Sequence, residues 1–293
     1  MPLKDHCPKT TTLVAVLLFF CSCSKKEEVV IYSTARLEGR ISSAPDPALK
    51  GAGAGGLAVF KNIYKLEKRP RLALDMGNWL SDTPEGRIMG SQAIIECMAA
   101  VPYSAAALGY RDLTINPREI EKLSKTASFP LLASNLYLKN NKKPEFLRSY
   151  ALLQAGGRKI GVFAINVSDP QTANQPKYLL NYRLEKESYE IEKALKSLKD
   201  GGAKITVMLL NINPKTAAKP EFYRKFLEKL PKTELVITDE PSLKKPFKAL
   251  RSWVVPSGSG AGAARVILAI DPATGALDGI DWSMIVLNKA EYG

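Results

Sequence analysis

An α/β architecture with a mixed sheet is predicted by three features of the 293-residue chain. Short apolar runs of strand length alternate with segments whose apolar residues recur at helical spacing, the pattern of parallel strands covered by helices. The final quarter strings strand-length segments together without helical ones, which adds an antiparallel part. Several apolar runs also end in polar residues and glycine. The central example is LALDMGNWLSDTP at 72–84, and residues 33–39, 108–112, 209–213 and 237–242 repeat its form. Such exits at the carboxyl ends of buried strands are where an α/β protein holds a ligand, so all five are expected to meet at one site.

In chain order, Lys4 and Lys9 precede an apolar run at 13–20 and the cluster Cys21-Ser22-Cys23-Ser24. A bilayer span needs about 20 residues, so this shorter run has the layout of a secretory leader. The cluster resembles a bacterial lipobox, with Cys23 as the lipidated residue and Cys21 as the alternative. A lipoprotein signal peptide over 1–22, a tether over 23–28 and one domain over 29–293 are expected. The protein would then sit on the periplasmic face of the inner or outer membrane, with Ser24 favouring the outer. Acyl chains contribute about 0.8 kcal/mol per buried methylene, so such an anchor holds firmly. Cleavage before Cys23 would remove the single histidine, His6, and one net positive charge of the +13, leaving +12. It would also leave Cys97 as the one cysteine beyond the anchor, which excludes a disulfide framework. Cys97 lies in the apolar run 93–101 and is expected to be a packed thiol. Lysines such as Lys142, Lys143, Lys244, Lys245 and Lys248 are scattered, with no aromatic interleaving. That surface suits anionic lipid or another polyanion rather than specific nucleic-acid recognition.

Residues 29–33 read as the first buried strand. The glycine run 51–56 is expected to be a flexible lead into a helix, because a phosphate-cradling loop opens a helix directly after a strand and about 17 residues intervene here. Val59, Ile63 and Leu66 mark that helix, which ends before Pro70, and the strand 72–75 follows. Ile94, Ile95, Met98 and Val101 mark a second helix, and 105–108 a third strand. Asn116, Pro117 and Glu119 supply an N-cap, a first-turn proline and a capping-box acid for a helix over 117–125. Another strand is expected over 131–135, then a hairpin of 148–155 with 159–167 turning at Gly156-Gly157. The helix containing Ile191, Ala194, Leu195 and Leu198 stops at Gly201-Gly202, and 205–210 is a buried strand. Phe222, Phe226 and Leu227 mark one more helix before 235–238. Segments 253–255, 264–271 and 280–287 are expected to close the chain as an antiparallel set with a turn at Thr274-Gly275.

The order of these motifs resembles the catalytic domain of bacterial 5'-nucleotidases, a branch of the calcineurin-like metallophosphatases. IYSTARLEGRI is similar to the family's T-N-D-x-H-G-R, and LALDMGNWLSDTP to L-D-A-G-D-x-x-x-G-T-P. ALGYRDL stands where the family has L-G-N-H-E-F-D, and FPLLASNLYL with GGRKIGVFAIN resembles F-P-x-L-x-A-N with G-x-K-I-G-V-x-G. VMLLNIN stands for V-x-L-S-H-x-G, LVITDEPS for L-I-x-G-G-H-x-H, and VVPSGSGAGAARVILAIDPATGAL for the closing glycine-rich motif. The resemblance implies an αββα sandwich of mixed sheets flanked by helices. It also implies a phosphoesterase that activates water on two divalent metals.

The resemblance departs at the ligand positions. Arg36 and Glu38 stand for the first aspartate and histidine, Asn78 for the bridging aspartate, Tyr110 for the asparagine and Arg111 for the catalytic histidine. That histidine's acidic partner falls on Asp112 or Thr114, and the later metal histidines fall on Asn211, Glu240 and Ser242. Guanidinium has no lone pair to offer a metal. The expectation is a catalytically degenerate, lipid-anchored binding or scaffolding protein without a cofactor. Arg36 and Arg111 would replace the metals' charge, with Glu38 and Glu240 as partners, either as a small-anion site or as salt bridges filling the space. Asp75 keeps its motif in a loop-shaping role. The alternative is a phosphoesterase binding Mg, Mn or Ca weakly through Glu38, Asp75, Asn78, Asp112, Asn211 and Glu240. The family's C-terminal nucleotide-gripping domain has no counterpart before Gly293, so nucleotide specificity does not carry over.

Overall fold

The computed structural model describes residues 26–39, 41–42, 44–45, 53–80, 84–167, 181–212 and 220–292. The leader, Cys21, Cys23 and part of the 51–56 glycine run lie outside the described residues. In chain order the elements are β1 (Glu27–Thr34), β2 (Ala44–Pro45), β3 (Gly53–Ala54), α1 (Leu57–Leu66), β4 (Arg71–Asp75), α2 (Pro84–Ala99) and β5 (Ala105–Ala107). A 3-10 turn at Asp112–Thr114 precedes α3 (Pro117–Thr126), β6 (Leu131–Leu132), β7 (Leu136–Leu138), β8 (Tyr150–Ala155), β9 (Arg158–Val167) and β10 (Tyr182–Leu184). Then come α4 (Glu187–Asp200), β11 (Ile205–Ile212), α5 (Pro220–Glu228), β12 (Leu235–Thr238), β13 (Phe247–Ala249), β14 (Ser252–Pro256), β15 (Gly262–Ile270), β16 (Leu277–Val286) and α6 (Lys289–Tyr292).

Two six-stranded mixed sheets stack face to face, ordered β16-β15-β1-β4-β5-β6 and β13-β14-β12-β11-β9-β8. The period-2 alternation of strands sorts their side chains into layers. Val29, Ile31, Leu72 and Leu74 of the first sheet pack between the sheets with Ile160, Val162, Val207, Leu209 and Ile237 of the second. Val30, Tyr32 and Ala73 face outward onto Phe60, Ile63, Ile94, Ile95, Ile120 and Leu123. Phe163, Met208 and Leu210 meet Ile191, Leu195, Leu198 and Tyr223 on the opposite outer face. The result is the expected αββα sandwich.

Local sequence explains most boundaries. Asn116 caps α3 by accepting the Arg118 N–H (2.9 Å), with Pro117 in the first turn. Gly156 and Gly157 take φ of 58° and 75°, joining β8 to β9 as a tight hairpin. The strand expected over 131–135 is shorter, because after Leu132 the chain leaves the first sheet. The Ser134 amide instead donates to Ala164 O in the second sheet (2.8 Å). The expected closing antiparallel set is corrected: β14 runs parallel to β12 in the second sheet, and β15 and β16 pair in the first. The turn at 257–261 carries the chain from one sheet to the other, which a list of apolar runs does not reveal. Cys97 is half-buried against the first helical layer.

Candidate functional site

The carboxyl ends of β1, β4, β5, β11 and β12 meet at one end of the sandwich. Beyond β1 and β4 the two chains stay paired: Arg36 N–H donates to Gly77 O (3.1 Å), Glu38 N–H to Asn78 O (3.3 Å) and Gly39 N–H to Trp79 O (2.8 Å). Three non-glycine residues here, Arg36, Glu38 and Asn78, take φ of 52°, 52° and 58°. That left-handed backbone is sparsely populated outside glycine and marks a loop held by its surroundings. Gly77 has φ of 87°, and a Cβ on it would fall 2.3 Å from Gly109 N. A Cβ on Gly109 would fall 2.4 Å from Asn78 Oδ1, so two glycines let the β4 and β5 exits touch.

Asn78 joins the exits. Its Nδ2 donates to Asp239 Oδ2 (2.9 Å) and its Oδ1 accepts the Arg111 N–H (3.0 Å). Its own N–H donates to Asp112 Oδ2 (2.7 Å). Asp112, fully buried, also accepts the N–H groups of Gly109 (2.8 Å) and Leu80 (3.3 Å). Asp75 accepts the Thr34 hydroxyl (2.6 Å) and the Gly77 N–H (2.8 Å). Both aspartates therefore organise loops. The sequence raised Asp112 as the acidic partner of a catalytic residue, and both aspartates as oxygen donors to a metal; here their oxygens accept loop N–H and hydroxyl groups.

Above this floor lie two ion pairs. Arg36 Nε meets Asp239 Oδ2 at 3.2 Å, and Arg111 Nη1 meets Glu38 Oε1 at 2.8 Å. Of the two acidic partners expected for these arginines, Glu38 pairs with Arg111, while Arg36 pairs with Asp239 and not with Glu240. Glu240 instead accepts the Ser242 N–H (3.1 Å), which leaves both residues at the rim. Sequence reasoning missed Asp239 because the family motif carries glycine there; its place directly after β12 was the available signal. Tyr110 is buried and its hydroxyl bonds to Val167 O, tying β5 to β9. Asn211, fully buried, reaches Leu108 O (3.4 Å). Its neighbour in register on β9, Asn166, was also missed, although it is a polar residue inside an apolar run.

Burial pushes the Asp75 and Asp112 carboxyls up to about 7, against the lowering effect of their hydrogen bonds. Asp239 is raised for the same reason, opposed by the charge of Arg36. With both guanidinium groups paired to carboxylates, the floor is close to internal neutrality.

The donor set does not fit a two-metal centre. Asp239 Oδ2 already receives two N–H donors, from Arg36 and Asn78, which direct hydrogens and not lone pairs into the space between them. Among the described residues there is no group of three or more His, Cys, Asp or Glu side chains placed to hold a metal.

No protein-family model matches the chain. It is 26% identical over 128 residues to Protein UshA of Yersinia enterocolitica and 25% over 127 residues to that of Escherichia coli K12. The matched part is 44% and 43% of this chain, respectively, and 23% of each UshA sequence. Among solved structures, a 5'-nucleotidase precursor from Thermus thermophilus superposes with a TM-score of 0.71 at 16% identity, over 90% of this chain and 55% of that one. The sulfate thiohydrolase SoxB from the same organism gives 0.74 at 13% identity, over 91% and 58%. The calcineurin-like phosphoesterase YfkN of Bacillus subtilis gives 0.67 at 15% identity, over 89% and 91%. The chain thus spans little more than half of the first two of these structures and under a quarter of the UshA proteins, and over that span it has the metallophosphatase fold of the 5'-nucleotidases and calcineurin-like phosphoesterases.

Proposed function

We propose that this protein is a catalytically silent binding or scaffolding member of the metallophosphatase fold, held at the bacterial cell envelope by a lipid on Cys23. The observation that carries the loss of catalysis is Asn78, an amide at the position where the family bridges two metals, donating to the carboxylate that also neutralises Arg36. A water-activating metal pair needs lone pairs directed at that point, and the chain supplies N–H groups instead. Each guanidinium has a carboxylate partner, so an anion would have to displace Asp239 or Glu38 to bind. This favours salt bridges filling the former metal space over an anion site. The leader and its cysteines support the envelope location, with the outer membrane favoured by Ser24.

The test is p-nitrophenyl phosphate turnover by purified protein with manganese and with chelator, alongside metal analysis. The expected result is no metal-dependent turnover and no stoichiometric metal. Manganese-dependent turnover abolished in Asn78→Ala would establish a phosphoesterase with an oxygen-only site and overturn the proposal. Titration with phosphate, sulfate and nucleotide is expected to give no saturable heat; saturable heat lost in Arg36→Ala and Arg111→Ala would restore the anion site. Intact mass of membrane-extracted protein is expected to show an acylated amino terminus at Cys23, lost in Cys23→Ala.

A further inference from the structure

Glu27, the first residue of β1, is already paired with Ile270 in the first sheet. Four residue steps separate it from Cys23, a reach of at most about 14 Å in fully extended chain. A lipid on Cys23 would therefore hold one particular end of the sandwich at the bilayer, the end where β1, β4, β9, β11, β12 and β14 begin. The eight residues of β1, at about 3.3 Å each, place the ion-paired floor at the opposite end, away from the membrane. The charges at the tethered end are unevenly matched. Glu27 meets Arg158 (2.6 Å), Glu28 meets Arg69 (3.0 Å), Glu234 meets Lys232 (3.3 Å) and Asp278 meets Lys26 (2.5 Å). Glu67 lies between Arg69 and Arg265. Lys68, Lys159, Lys204, Lys248 and Arg251 are exposed and form no ion pair among the described residues, and they outnumber the unpaired carboxylates here, Asp200 and Asp271.

Two of those cations flank the turn from β13 to β14. Ala249 pairs with Ser252, so Leu250 and Arg251 make up the whole turn. Leu250 takes φ of 53° and is 57% exposed, at a position where glycine or asparagine is the stable choice. Neither burial nor backbone preference accounts for a leucine there. A cavity of about 260 Å³ beside the turn joins Lys248, Leu250 and Arg251 to Lys232, Glu234 and Asp278. Both of its carboxylates are in the ion pairs above, so Lys248 and Arg251 leave it net positive, and Asp278 links it to Lys26 at the end of the tether. An exposed leucine between two cations suits a bilayer interface, its side chain among acyl chains and the charges on headgroup phosphates. We propose that this end of the sandwich is a membrane-docking face that seats the Leu250-Arg251 turn in an anionic leaflet. The proposal rests on the reading of Cys23 as acylated, and the lipid and the cations then act as two signals for one surface.

The test reconstitutes protein purified from membranes into vesicles of phosphatidylcholine, or of equimolar phosphatidylcholine and phosphatidylglycerol, and compares amide hydrogen exchange. Exchange over 248–252 is expected to slow severalfold with phosphatidylglycerol and not with phosphatidylcholine alone, while 240–242 at the opposite end stays unchanged. Raising the salt concentration is expected to reverse the slowing. The double variant Lys248→Glu, Arg251→Glu is expected to abolish it. Leu250→Gly is expected to weaken it without lowering the melting temperature, because glycine suits the positive φ. No slowing with phosphatidylglycerol, equal slowing over 240–242, or slowing indifferent to these variants would overturn the docking face. Intact mass separates the two failures: an unacylated Cys23 overturns the anchor and the orientation with it, whereas an acylated protein without the slowing overturns the docking face alone.

Discussion

Asn78 shows how much one side chain settles. Its amide has a donor facing Asp239 and an acceptor facing the Arg111 N–H, so the donor end is not interchangeable with a carboxylate oxygen. Asn78→Asp is expected to set two carboxylates 2.9 Å apart where a donor met an acceptor. It should lower unfolding free energy by about 2–3 kcal/mol, read from the urea midpoint. Stabilisation of Asn78→Asp by added manganese would instead point to a latent metal site. Gly109→Ala is expected to lose about 2 kcal/mol for a different reason, the clash of its new methyl, 2.4 Å from Asn78 Oδ1. The residue types at this site were plain in the sequence, and so was the replacement of imidazole and carboxylate by guanidinium and amide. The pairing was not, because Asp239 and Glu240 are consecutive and equally acidic, and only the twist of the chain leaving β12 decides which meets Arg36.

Among the elements, the β8–β9 hairpin separates local from tertiary demands. Both turn glycines have positive φ, yet a Cβ on Gly157 has open space while one on Gly156 falls 2.7 Å from the Pro70 ring. Gly157→Ala is expected to lose about 1 kcal/mol from backbone strain alone. Gly156→Ala should lose more, and equal urea midpoints for the two would show that Pro70 gives way. On α3, Asn116→Ala is expected to lose about 1 kcal/mol with its cap, measured in the same way. Helices and hairpin were legible because their signals are local: spacing, a capping residue, a glycine pair. The misassigned element was β14, whose apolar run is equally consistent with either sheet and whose partner was chosen by the path of the turn at 257–261.

At the level of the whole molecule, the burial of Asp75 and Asp112 couples stability to pH. Each carboxyl is raised from its ordinary range to about 7, so between roughly pH 4 and pH 7 the native state holds more protons than the unfolded one. Unfolding free energy therefore falls as pH rises through that window and levels off above about 7. The carboxylates held below their ordinary range, Glu27, Glu67, Glu185 and Asp271, act with the opposite sign only at lower pH. Urea midpoints at pH 5, 6, 7 and 8 are expected to decline in that order, and a rising series would show that both aspartates are ionised in the native state throughout.

The sequence by itself determined the α/β class, the order of the elements and the chemical types at the strand exits, because periodicity, turn residues and side-chain identity are properties of neighbouring residues. Tertiary structure decided which strands share a sheet, that Asp239 rather than Glu240 neutralises Arg36, and that a cavity lies between β12 and β16. Those outcomes depend on where residues some 200 positions apart come to rest, as Arg36 and Asp239 do. Such placement is fixed only by how the two sheets bury their shared face.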